Sequence, residues 1–149
     1  MMKKRLTQAF LTMVVLAPFA VMARAVPASS GRPAVWADGA CFLMTYSTMY
    51  NGCTARKSFE FPLPVDTVGN KTAYVAAQGA SSANSVGCAE VGMNREGTLV
   101  YGGARKWLTS FGTPQIITLT DAYIPAGGYL YVNCSVDPSA FVISIDYNA

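Results

Sequence analysis

Residues 129–147 read YLYVNCSVDPSAFVISIDY, and the period of their side chains decides the fold class. The even positions Leu130, Val132, Cys134 and Val136 are apolar, and beyond Ala140 the odd positions Phe141, Ile143, Ile145 and Tyr147 take over. Alternation at two-residue spacing lines one face of an extended strand, whereas a helix would repeat every three to four residues. Asp137-Pro138-Ser139-Ala140 separates the two runs, with Asp and Pro at the first two positions of a type I turn. The pattern predicts a hairpin pairing Val136 with Phe141, Cys134 with Ile143, Val132 with Ile145 and Leu130 with Tyr147. A slip of one residue would turn the whole apolar set to water.

Working upstream, Gln115–Ile124 is another β-type run carrying Ile116, Ile117, Leu119 and Tyr123, and Pro125-Ala126-Gly127-Gly128 separates it from Tyr129. A three-stranded meander is expected there. Asn51-Gly52 is the dipeptide best suited to a two-residue turn with positive φ; it predicts a second hairpin pairing Tyr50 with Cys53 and Phe42 with Phe61, with Pro62 and Pro64 ending the strand. Shorter strands are expected near Lys71–Gln78, Gly87–Met93, Gly97–Gly102 and Lys106–Phe111, with a loop at Gly79–Gly87 and a turn at Asn94–Gly97. No long stretch shows helical periodicity. Roughly seven or eight strands with regular turn signals predict an all-β fold, a single antiparallel β-sandwich of jelly-roll or immunoglobulin-like kind, with a small β-barrel as the alternative.

The amino terminus has a different composition. Lys3, Lys4 and Arg5 precede an apolar run, Ala9–Met22, broken only by Thr12 and Pro18, and Ala23-Arg24-Ala25 follows with small residues two apart. That is the anatomy of a secretory signal, and the run is shorter than the roughly 20 residues a membrane span needs. The expected organisation is a secretory signal peptide over 1–25, a flexible lead rich in Pro, Ala, Ser and Gly over 26–39 with Trp36 as its anchor, and the β-sandwich domain over 40–149. The expected destination is secreted or periplasmic, with no stable membrane insertion once the signal is cleaved.

Export makes the four cysteines, Cys41, Cys53, Cys88 and Cys134, read as two disulfides. Their spacings lack the close pairs of a zinc site. Three connectivities are possible. Chain entropy favours the local closure of Cys41 with Cys53, leaving Cys88 with Cys134; a tight Asn51-Gly52 turn opposes it, because it would put Cys41 and Cys53 on opposite faces of the hairpin.

Charge and composition exclude several function classes. Of the 11 basic residues four lie within 1–25, so seven remain against eight acidic ones. The cations are scattered, and a nucleic-acid partner, which needs a clustered basic surface, is not expected. The chain has no histidine, which removes Ser-His-Asp and Cys-His catalysis together with the commonest metal ligand. Lys106 and Ser110 lack a Ser-x-x-Lys motif, no EF-hand spacing occurs, and Gly102-Gly103-Ala104-Arg105-Lys106 lacks the spacing of a phosphate loop. No cofactor, metal or catalytic residue is assigned.

A glycosidase would need only two carboxylates, drawn from Asp38, Glu60, Asp66, Glu90, Glu96, Asp121, Asp137 and Asp146. The positive signal lies in the aromatic residues. Tyr129 and Tyr131 fall on the outward face of their strand, and Trp107 follows a glycine turn, so these three are the candidate ligand contacts. The expected function is that of an exported, non-enzymatic binding or structural module with a protein or glycan partner; the alternative is a carbohydrate-active module, either a sugar-binding domain or a carboxylate-dependent hydrolase.

Overall fold

The computed structural model describes residues 23–149; the charged start and apolar run of the expected signal lie outside the described residues. In chain order the strands are β1 (Ala23–Pro27), β2 (Arg32–Pro33), β3 (Phe42–Thr45), β4 (Thr48–Asn51), β5 (Lys57–Leu63), β6 (Gly69–Asn70), β7 (Ala73–Gln78), β8 (Val86–Met93), β9 (Val100–Gly102), β10 (Lys106–Trp107), β11 (Gln115–Leu119), β12 (Tyr123–Ile124), β13 (Tyr129–Val136) and β14 (Phe141–Asn148). Two six-stranded antiparallel sheets pack as a sandwich. The first has the order β11-β7-β14-β4-β3, with β1 also on β14; the second has the order β10-β8-β13-β5-β2, with β9 also on β8; β6 and β12 form a short ribbon. Among the described residues no strand pairs from one six-stranded sheet to the other, so the structure is a sandwich and not the alternative barrel.

The interior is built as the alternation requires. Phe59, Phe61 and Leu63 of β5 and Leu130, Val132, Cys134 and Val136 of β13 are buried, as are Val75 and Ala77 of β7 and Val142, Ile145 and Tyr147 of β14 in the other sheet. Phe42 packs edge-on and Phe61 tilted against Phe59, at centroid distances of 4.7 and 5.1 Å. Each fully buried side chain of this size contributes about 1.5–3 kcal/mol of transfer free energy.

The partner assignments differ from those the sequence predicts. β13 pairs with β5 and β8, whereas β14 pairs with β7, β4 and β1. The 137–140 segment therefore carries the chain between sheets, and neither the carboxyl-terminal hairpin nor the meander forms; β11 pairs with β7. Two alternating runs can bury their apolar faces side by side or face to face, and the period is the same in both cases. The turn differs too. Ser139 has φ 64°, the positive value found at the third position of a type II turn and not of type I. Asp137 is drawn inward, accepting hydrogen bonds from Arg56 at 2.6 Å and from the Ser85 amide at 3.1 Å. A bulge between Val142 and Ser144 then resets the face of β14: Val142, Ile145 and Tyr147 are buried, while Phe141 and Ile143 are not.

The Asn51-Gly52 hairpin is also absent. The chain reverses five residues earlier, at Tyr46-Ser47, with Thr45 opposite Thr48 and Tyr46 at φ 55°. Asn51 is fully buried instead. Its side-chain amide donates to the Ala55 and Val136 carbonyls at 2.9 and 2.8 Å, and its carbonyl accepts from the Cys53 amide at 3.0 Å. Satisfying three backbone groups in the interior outweighs the dipeptide's turn preference. The displacement removes the obstacle to a local bridge, and Cys41–Cys53 and Cys88–Cys134 are joined, with Cα separations of 5.0 and 4.1 Å. Pro62 lies inside β5, outward and opposite Tyr131.

The stretch expected to be a loose lead is paired. β1 runs along β14 from Ala23 opposite Asn148 to Pro27 opposite Ser144, and β2 pairs Arg32 with Glu60. Its anchor is Ala28, fully buried, while Trp36 is 93% exposed. Proline and glycine content hides such short edge strands, because an edge strand needs a ladder on one side only.

Candidate functional site

The outer face of the second sheet is set by the parity of three strands. If Leu130, Val132 and Cys134 point inward, then Tyr129, Tyr131 and Asn133 point outward; the same logic turns Glu60 and Pro62 out of β5 and Met93 out of β8. The ladders place Tyr131 between Pro62 and Val91, Tyr129 beside Met93, and Asn133 between Glu60 and Ala89. At the sheet edge Arg32 of β2 stands opposite Glu60, with its guanidinium 3.4 Å from the carboxylate.

These residues enclose a cleft of about 400 Å³ lined by Arg32, Glu60, Pro62, Met93, Tyr129 and Tyr131, among others. The two tyrosines alternate with buried Leu130, so their rings stand roughly 7 Å apart on one rigid strand. Tyr129 donates its hydroxyl to the Met93 sulfur at 3.3 Å. Tyr131 is half-buried, and burial, followed by the negative charge of Glu60, holds its phenol above the ordinary tyrosine range; it is a neutral donor throughout the physiological range. Glu60 supplies acceptors only and Arg32 donors only. The cleft therefore offers apolar ring faces beside both halves of a hydrogen-bonding rim.

Trp107 sits elsewhere on the same sheet. It pairs with Gly87 and lies so close that a Cβ on Gly87 would strike the indole, which is why glycine is required there. Arg56 covers the ring at 4.5 Å from its centroid and is itself bound to Asp137, which raises the guanidinium pKa further. Arg105 lies alongside, donating to the Gly87 carbonyl at 2.5 Å and to the Asn133 side chain at 2.6 Å. Of the three aromatic candidates the structure thus brings Tyr129 and Tyr131 into one cleft and leaves Trp107 outside its lining, with a cation over its ring. Arg32, Glu60 and Met93 were not legible as site residues, because their membership depends on which strands neighbour β13. Glu60 was readable only as one of eight carboxylates.

One carboxyl group lies on the opposite face of the sheet. Glu90 stands across from Val132 and is fully buried, with no hydrogen-bond partner for either oxygen. Burial, with Asp121 adding to it and Lys71 opposing, pushes its pKa up to about 7. Lys71, also buried, has its ammonium pKa lowered by the same desolvation and donates to Thr67 Oγ1 at 2.7 Å. Asp121 is a loop residue accepting from the Ala104 amide at 2.8 Å. Among the described residues no group of three or more potential metal ligands gathers, and no helix is long and apolar enough to cross a membrane.

The sequence matches no family model and no curated protein. Among solved structures it is similar to a carbohydrate-binding module, CBM6cm-2 of lichenase 5A from Cellvibrio mixtus, solved with cellotriose, at 11% identity and a TM-score of 0.46 over 85% of this chain and 96% of that one. It is also similar to the carboxyl-terminal CBM6 of the laminarinase LamC from Zobellia galactanivorans, at 13% identity and a TM-score of 0.43 over 86% and 100% of the two chains. A third, TmCBM61 in complex with β-1,4-galactotriose, has 10% identity and a TM-score of 0.43 over 85% and 86%.

Proposed function

We propose that this chain is an exported, non-enzymatic binding module and that the Tyr129–Tyr131 cleft takes a carbohydrate. The observation that carries the reading is the pairing of two adjacent outward tyrosine rings with the Arg32–Glu60 rim in one cleft of about 400 Å³. A pyranose has an apolar face of C–H groups and an equator of hydroxyls. The first matches a tyrosine ring, and the second matches a rim holding both a donor-only and an acceptor-only group. Hydrolysis would need a second carboxyl group about 5–10 Å from the first. Glu60 is the acid of this lining, and Glu90 of the neighbouring strand points into the interior. The two disulfides fit an oxidising destination, periplasmic or extracellular.

The test is a panel of neutral oligosaccharides followed by calorimetry on the best binder. Binding should weaken about tenfold in Tyr129→Ala and in Tyr131→Ala, the equivalent of about 1.4 kcal/mol per stacking ring. It should stay within about threefold of wild type in Trp107→Ala, and the bound oligosaccharide should remain intact. Silence across the panel, or binding indifferent to Tyr131→Ala, would overturn the assignment. A protein contact is the second reading, favoured by a separate exposed apolar group, Trp36, Leu43, Met44 and Tyr46, around the edge strand β3.

A further inference from the structure

We propose that the mature chain begins at Arg24: the leader is cut between Ala23 and Arg24, with Val21 and Ala23 occupying the −3 and −1 positions, and not after Ala25. The inference rests on the reading of residues 1–22 as an export leader, and a leader peptidase is the enzyme it calls for. Two cuts lie directly at the end of the apolar run. Val21-Met22-Ala23 presents a small aliphatic residue and an alanine two apart, as Ala23-Arg24-Ala25 presents two alanines, so side-chain size at the cut admits both.

The fold discriminates between them. Five consecutive residues of β1, from Ala23 to Pro27, pair with Asn148 to Ser144 of β14. A cut after Ala25 removes three of the five; a cut after Ala23 removes only the terminal pair. The loss would matter because of how that edge of β14 is covered. β7 holds one side of β14, and on the other side β4 reaches only Phe141 and Val142. β1 covers the rest. Without residues 23–25 the backbone of β14 at Asp146–Asn148 would present unpaired amides and carbonyls, the kind of edge that recruits a foreign strand.

Side chains point the same way. The Arg24 guanidinium is bonded to Asp66, in the connection between β5 and β6. Arg24 also stands opposite Tyr147, whose buried ring donates its hydroxyl to the Pro64 carbonyl at 2.9 Å. Arg24 therefore closes the end of the sandwich over one of its largest buried side chains. A residue that joins two segments of the finished fold belongs to the mature protein. Retaining it also brings the mature chain to eight basic and eight acidic residues, since only Lys3, Lys4 and Arg5 then leave with the leader.

The full-length precursor, secreted by a bacterial host, gives the test through amino-terminal sequencing and intact mass of the exported product. The expected product starts at Arg24 and is longer by Arg24 and Ala25 than one starting at Val26. A second readout is independent of folding: Ala25→Phe puts a bulky residue at −1 of the rejected site but only at the second position beyond the proposed one. The variant should mature at the wild-type rate. A product starting at Val26 or at Met1, or accumulation of the Ala25→Phe precursor, would overturn the proposal.

Discussion

At the scale of single residues, Glu90 is a carboxyl group whose titration the fold shifts towards neutral pH. The carboxyl is fully buried and unpartnered, and desolvation holds its pKa at about 7 against 4.5 for an ordinary glutamate. In the unfolded chain the group loses its proton near 4.5, while the folded chain keeps it until about 7. Between those values the folded state binds more protons, so stability falls as pH rises from 4.5 to 7 and is flat above. The contribution lost over that window is about 3 kcal/mol. Glu90→Gln, neutral at every pH, should flatten the profile, leaving pH 5 stability nearly unchanged and raising the urea midpoint at pH 8. A variant profile parallel to wild type would refute this. Asn51 has the opposite character, since its three interior hydrogen bonds leave backbone groups unpaired when the amide is removed. Asn51→Ala should cost about 2–4 kcal/mol in equilibrium unfolding at any pH. Both residues were within reach of the sequence in part: Glu90 shares the inward parity of Val86 and Cys88, whereas Asn51 carries a local turn signal that tertiary hydrogen bonding overrides.

At the scale of elements, periodicity identified faces and left partners undecided. The inward set of β13 was legible to the residue, because burial on one side imposes strict alternation. Its neighbours were not, since Phe59-x-Phe61-x-Leu63 and Phe141-x-Ile143-x-Ile145 offer the same pattern and only the whole packing selects between them. The cleft shared that fate: Tyr129 and Tyr131 were visible on their own strand, while Glu60 and Arg32 become its rim only through the β13–β5–β2 ladders. The disulfides show what the ladders impose. Cys88 and Cys134 are directly opposed on neighbouring strands of one sheet, closing a separation of 46 residues against 12 for Cys41 and Cys53. Loop-closure entropy makes the first bridge contribute about 4 kcal/mol and the second about 3. The Cys88→Ala/Cys134→Ala double variant should therefore lose about 1 kcal/mol more in urea unfolding than Cys41→Ala/Cys53→Ala. The fully buried sites of Cys88 and Cys134 add a cavity cost in the same direction. The reverse order would show that the local bridge, by fixing the entry to β3, governs assembly of the first sheet.

At the scale of the whole molecule, the proposed site and the core lie on opposite faces of one sheet. The inward side of β13 holds the core and the Cys88–Cys134 bridge, and its outward side holds Tyr129 and Tyr131; the strand between them is fixed by neighbours on both edges. A site carried on so rigid a support loses little entropy on binding, and its side chains can be removed without opening the interior. Tyr131→Ala should leave the unfolding free energy from urea titration within about 1 kcal/mol of wild type. Oligosaccharide at a hundred times Kd should stabilise the wild-type protein by about 2.7 kcal/mol through mass action, and the same concentration should stabilise the variant appreciably less. Salt provides the complementary measurement. With eight basic and eight acidic residues in a chain starting at Arg24, no net field steers a ligand, and a neutral sugar displaces no counterions. Affinity should then change by less than about threefold between 50 and 500 mM salt, where a phosphate-bearing polymer would lose orders of magnitude. A steep salt dependence would argue against a neutral ligand and for an acidic one held by the cations of that sheet, Arg32 at the cleft or Arg56 and Arg105 around Trp107.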